Sequence, residues 1–211
     1  EDVAEREGRT VLFVSHNMQA ISTLTRQLLM LSQGKCIYQG KTEYGITEYL
    51  REGSSEDLVY SDHPSQTKPT ITHVELITSQ PNNVQLSGES IKFRFKIHSP
   101  IIINSASLSF QVFNSLGQAI LHLWTFDSER PMCRQSGIFS LICIIPKLRL
   151  YLGHYTLTVH FSEGPGGKKF QTIENICPFE VTMYGRHREF EWQAGTCTYL
   201  EDCDWIIEQV G

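Results

Sequence analysis

The sequence predicts a mainly β protein: an antiparallel β-sandwich over residues 70–211, preceded by a short α/β segment. Three observations predict it. From Thr70 onward the apolar residues recur at every second position, the period of a half-buried strand. Turns bearing glycine or proline separate these runs at fairly regular spacing, with no helical stretch between them. Before residue 50 the pattern differs: one unbroken apolar run is followed by apolar residues three and four apart.

Residues 71–79 are the first candidate strand of the sandwich, and Leu86 to Glu89 (LSGE) is a turn. Ile91, Phe93, Phe95 and Ile97 then alternate with Lys92, Arg94, Lys96 and His98, a strand with one dry face and one wet. Leu108, Phe110 and Val112 continue the pattern up to a hairpin turn at NSLGQ, residues 114–118. Further strands are expected over 119–126, 139–145 and 155–161. In the last of these Tyr155, Leu157, Val159 and Phe161 alternate with Thr156, Thr158 and His160. EGPGGKK, residues 163–169, reads as a flexible loop. Residues 170–184 form a long or bent strand pair in which Pro178 marks a bulge or an edge. GTCTYL and DWIIEQ close the chain. A Cys…Trp…Cys framework is lacking, so the reading claims a sandwich architecture and not a true immunoglobulin domain.

The first fifty residues read as α/β. Val11, Leu12, Phe13 and Val14 have the continuous hydrophobicity of a strand buried on both faces, ending in Ser15, His16 and Asn17. Residues 2–7 favour a helix capped by Gly8. From Met18, the residues Ile21, Leu24, Leu28 and Leu31 give one apolar helical face that Gly34 closes. Lys35 to Gln39 is a short strand, and Thr42 can cap a helix reaching Leu50. Residues 51–69 are polar, rich in Ser and Asp, and read as a linker.

Bulk properties narrow the function. A net charge of −5 and a pI near 5.9 lack the basic stripe of a nucleic-acid binder. No apolar run approaches the roughly 20 residues of a membrane span. The six cysteines form no CxxC pair and no zinc spacing, so reduced thiols, no metal and a cytoplasmic setting are expected. The acids Glu163, Glu174, Glu180, Asp202 and Asp204 show no spacing that sets a pair across a cleft, and no GxSxG elbow occurs. The sandwich is therefore read as non-catalytic.

What remains is a binding face. If Leu121 and Leu123 point inward, His122 and Trp124 point outward by the two-residue period. The outward sets of other strands include Arg94, Lys92, Ser109, Gln111, Thr158 and His160. A large ring among amides, hydroxyls and bases suits a sugar, whose ring has an apolar face and a hydroxylated rim. The plain alternative is that Trp124 covers a core edge and the rest is a solvated face. Trp205 and Ile206 are assigned to an interface or the core, and Trp192 is a second choice for sugar contact.

GRTVLFVSHNMQAISTLTRQLLMLSQGKCIYQG resembles the last third of an ABC-type ATPase domain, and closest to it are the ATPase subunits of Wzt-type polysaccharide exporters. GESIKFRFKI, FQVFNSLGQAI, GIFSLICIIP, LGHYTLTVHFSEG and IENICPFEV, in that order, resemble the C-terminal domain of the same subunits. The resemblance implies that residues 1–50 are the end of a nucleotide-binding domain and that His16 is its switch histidine. It implies that residues 70–211 are a jelly-roll-like domain that binds an O-antigen-like glycan. It also implies a homodimer, leaving open whether the last strand is exchanged, and a permease partner that ties the subunit to the inner membrane. ATP and magnesium would belong to the full-length subunit. This sequence contains neither a GxxxxGK[ST] loop nor a magnesium aspartate ahead of Thr10, so hydrolysis by this chain is not expected and it reads as the tail of a larger subunit.

Overall fold

A computed structural model describes residues 10–15, 21, 24–42, 44–45, 49, 58–126, 128, 130–164, 167–183, 192–193 and 195–208. The expected switch histidine His16, the helix over 2–7 and residues 51–57 of the linker lie outside these residues.

Two sheets stack into an antiparallel β-sandwich. Strands β3 (Val59–Ser61), β4 (Thr70–Ile77), β6 (Ile91–Ser99) and β9 (Gly137–Ile145) form a four-stranded sheet in the order β3-β4-β6-β9. Strands β5 (Val84–Leu86), β7 (Ala106–Asn114), β8 (Ala119–Phe126), β10 (Gly153–Glu163) and β11 (Lys169–Thr182) form a five-stranded sheet in the order β5-β11-β10-β7-β8. All pairings are antiparallel except that of the short β5 with β11.

Alternation decides which side chains are dry. In β6, Ile91, Phe93, Phe95 and Ile97 are all buried, and in β7 Leu108, Phe110 and Val112 meet them from the other sheet. The Phe110 ring lies 4.7 Å from that of Phe93 and 5.2 Å from that of Phe95, so one side chain bridges both layers. Turn chemistry fixes the β7–β8 register. Asn114 Oδ1 accepts from the Leu116 and Gln118 amides, and Gly117 takes a φ of 72°. In β11 the bend comes from Asn175 and Cys177 (φ 55° and 50°), just before Pro178, where the register to β10 shifts.

The first fifty residues depart from expectation. Leu28 and Leu31, read as part of a helical face, lie instead in β1 (Gln27–Ser32), paired with β2 (Lys35–Lys41). Gln33 and Gly34 both have positive φ (49° and 76°), the two-residue turn whose twist matches a hairpin, so Gly34 is a hairpin glycine and not a helix cap. Val11, Leu12 and Val14, expected to be a buried strand, are exposed and join no sheet among the described residues. The linker is also shorter than expected. Val59 to Ser61 pair with β4, and Tyr60 packs against the core.

Candidate functional site

The outer face of the five-stranded sheet gathers most of the expected residues. Register places Trp124 on β8 opposite Ser109 on β7, Ser109 opposite His160 on β10, and His160 opposite Thr172 on β11. This row crosses three strand spacings, roughly 14 Å. The adjacent row runs His122, Gln111, Thr158. The two-residue period turns all seven away from the core, but Thr158 is only 6% exposed and is covered by its neighbours.

The Trp124 ring is 54% exposed, and its centroid is 5.2 Å from that of His122 in an edge arrangement. It is therefore not sunk beneath its neighbours. His160 sits between two partners: Nε2 is 3.2 Å from Gln111 Oε1, and Nδ1 is 3.1 Å from Thr172 Oγ1. Nε2–H donating to Gln111 and Nδ1 accepting from the Thr172 hydroxyl uses each nitrogen once, which fits a neutral imidazole. Burial first, then the charge of Lys169 and the nearness of His122, hold His160 below the ordinary histidine range, with Glu174 opposing. The face thus offers one exposed indole, a second ring and a line of hydroxyl, amide and imidazole groups. This is chemistry for hydrogen-bonding a polyol while covering its apolar face.

Arg94 is not part of it. It lies on β6, in the other sheet, and its Nη1 donates to Glu75 Oε2 at 2.6 Å. The two-residue period puts Arg94 outward correctly, but the two sheets have opposite outward directions. Trp192 is elsewhere as well, edge-on to Tyr151 at 5.8 Å in the segment ahead of β10.

Sequence reasoning missed what adjoins the face. Among the described residues, strands β8 and β9 are both sheet edges that pair on one side only. Between them opens a groove of ≈ 750 Å³, with Phe95, Leu108, Phe110, Leu123, Phe139 and Leu141 among its lining residues. His122 and Trp124 line it too, so groove and face are continuous. No local pattern betrays an edge, since it arises from which strands pair. Thr172 was missed for a similar reason, its strand being irregular.

Among the described residues no group of three or more His, Cys, Asp or Glu side chains could hold a metal ion, and Cys197 and Cys203 are exposed and unbridged. No described helix is long and apolar enough to cross a membrane.

A family model described as the Wzt C-terminal domain matches residues 63–196. Among solved structures, the crystal structure of the C-terminal domain of Wzt is 12% identical, with a TM-score of 0.45 over 59% of this chain and 77% of that one. A Niemann-Pick type C2 protein from the Japanese carpenter ant is 7% identical, with a TM-score of 0.42 over 58% of this chain and 99% of that one. No curated protein matches the chain in sequence.

Proposed function

Because this chain belongs to the Wzt C-terminal domain family, we propose that its β-sandwich is a non-catalytic glycan-binding module of an ABC polysaccharide exporter subunit. In this reading the module recognises the exported, O-antigen-like polymer on the cytoplasmic side of the inner membrane. One observation carries the reading: Trp124, His122, Gln111 and His160 share one face in two adjacent rows, with Trp124 exposed. A shallow face immobilises a flexible chain at an entropic cost, so affinity for an isolated oligosaccharide is weak, and two modules in a homodimer restore avidity. Residues 1–50 belong, in the same reading, to the end of the nucleotide-binding domain, with His16 as its switch histidine. ATP and magnesium are handled by the full-length subunit with its permease partner. A glycan array probed with the full chain and with Trp124→Ala tests the proposal. Binding of a polysaccharide class that disappears in the variant, with the melting temperature retained, supports it. Equal binding by both chains sinks it.

A second reading is favoured by a different observation. Trp205, Ile206 and Ile207 at the end of the described chain are 87%, 87% and 94% exposed. A run of this kind suits association of two copies, so the sandwich would dimerise or dock without a sugar site. Trp205→Ala separates the two: a lost dimer in sedimentation, with no carbohydrate bound by either chain, favours docking alone.

A further inference from the structure

The groove between β8 and β9 has no role in the glycan reading, which needs only the outer face. Its lining is that of an incompletely closed core. Phe95, Leu108 and Phe110 are buried at its floor, while Leu123, Phe139, Leu141 and Cys143, inward-facing residues of the two edge strands, are only partly covered. Inward side chains of a sandwich are normally sealed by the opposite sheet. Here the two edges stand apart, and the volume falls within the range of about 300–1,000 Å³ typical of small-molecule sites.

A few polar residues join this lining. Thr125 is one of them, and the Thr125 hydroxyl is buried with no hydrogen-bond partner among the described residues. Arg130, from the segment joining β8 to β9, also lines the groove, as do Pro131 and Met132. The polar groups of the groove are therefore few, within a mostly hydrocarbon surface, and it merges through His122 and Trp124 with the saccharide-type face.

We infer that the groove is a second ligand subsite, which takes the hydrocarbon chain of an amphipathic glycoside whose sugar rests on the Trp124 face. The chain buries methylenes against Phe139, Leu141 and Leu123. The head-group half of this statement rests on the glycan reading; the groove half does not.

Calorimetry on the full chain with octyl, decyl and dodecyl maltosides, each kept below micelle formation, tests it, with maltose and decanoate as controls. Each buried methylene is worth about four-fold in Kd, so two more carbons tighten binding by on the order of ten-fold. That dependence should vanish in Cys143→Trp, which fills the groove, and in Leu123→Trp should Cys143→Trp fail to melt cooperatively. Chain-length dependence lost in these variants, with decanoate binding as weakly as maltose, supports both halves. Chain-length dependence lost in these variants, with decanoate matching decyl maltoside, keeps the groove and removes the sugar's part, which tells against the glycan reading alone. Affinity that ignores chain length overturns the subsite, as does chain-length dependence that survives both variants. A dependence seen only after removal of residues 201–211 overturns it too, because the tail of a second copy would then own the groove.

Discussion

The two outer faces of the sandwich are written in the same alternating code and have opposite character. On the five-stranded sheet, the row Trp124, Ser109, His160, Thr172 carries no formal charge when the imidazole is neutral, and its partners are hydroxyl and amide groups. On the four-stranded sheet, three of the four bases of β6 stand opposite isoleucines of β9: Lys92 against Ile144, Arg94 against Ile142, His98 against Ile138, while Lys96 faces Ser140. These isoleucines are 54%, 57% and 72% exposed. The first face is uncharged and lined by hydrogen-bonding groups beside one exposed indole. The second combines charge with exposed apolar surface. Similar outward periodicity thus yields two surfaces, and long-range strand pairing decides which residues share one.

The largest effect is expected where the faces have a common floor. Phe110 is 3% exposed and touches the rings of Phe93 and Phe95 across the sheets. Phe110→Ala should cost about 3–5 kcal/mol, because the cavity cannot be refilled from either layer. Urea denaturation measures this, and the loss should weaken anything bound at either face. A cost below about 1 kcal/mol would mean that the two sheets do not pack as described.

Next comes the difference between the faces themselves. Trp124→Ala should lower glycan affinity by at least about ten-fold, roughly 1.4 kcal/mol, while its half-exposed ring makes the stability change small. Arg94→Ala should leave glycan affinity alone. Its ion pair with Glu75 is partly exposed, so the stability cost should stay near 0.2–1 kcal/mol. Titrating one oligosaccharide into both variants reads the contrast directly. Reversed effects would move the site to the four-stranded sheet.

Much of this architecture is legible in the residues alone. The alternation in 91–97 and 155–161 announces strands, and Asn114 with Gly117 announces a turn, because local sterics and hydrogen bonding act within a few residues. The grouping of Trp124 with His122 and Gln111 follows from the same period once β7 and β8 are known to be a hairpin. Arg94 escapes this logic because nothing in its neighbourhood says which sheet β6 joins. The groove escapes it because an edge is defined by a missing neighbour. Leu28 and Leu31 fit a helical spacing and a strand equally well in so short a run, and the Gln33–Gly34 turn decides for the hairpin.

The smallest effect, and the finest probe of the polar face, is the titration of His160. Burial and the neighbouring Lys169 and His122 favour its neutral form in the folded protein. The unfolded chain has a histidine of ordinary pKa near 6.5, so as the pH falls below that value the unfolded state takes up the proton first. Stability should therefore fall with pH from about 6.5 down to the lower folded value, and level off beneath it. The loss belongs to His160 if it is reduced in His160→Asn. Lys169→Ala removes one of the causes, so the His160 midpoint followed by NMR should move up toward the ordinary range. Protonation would also oblige Nδ1 to donate, and the Thr172 hydroxyl would have to turn from donor to acceptor. A midpoint at or above the ordinary histidine value in the unmodified chain would mean that His160 is not enclosed between Gln111 and Thr172, and the row that joins it to Trp124 would lose its central member.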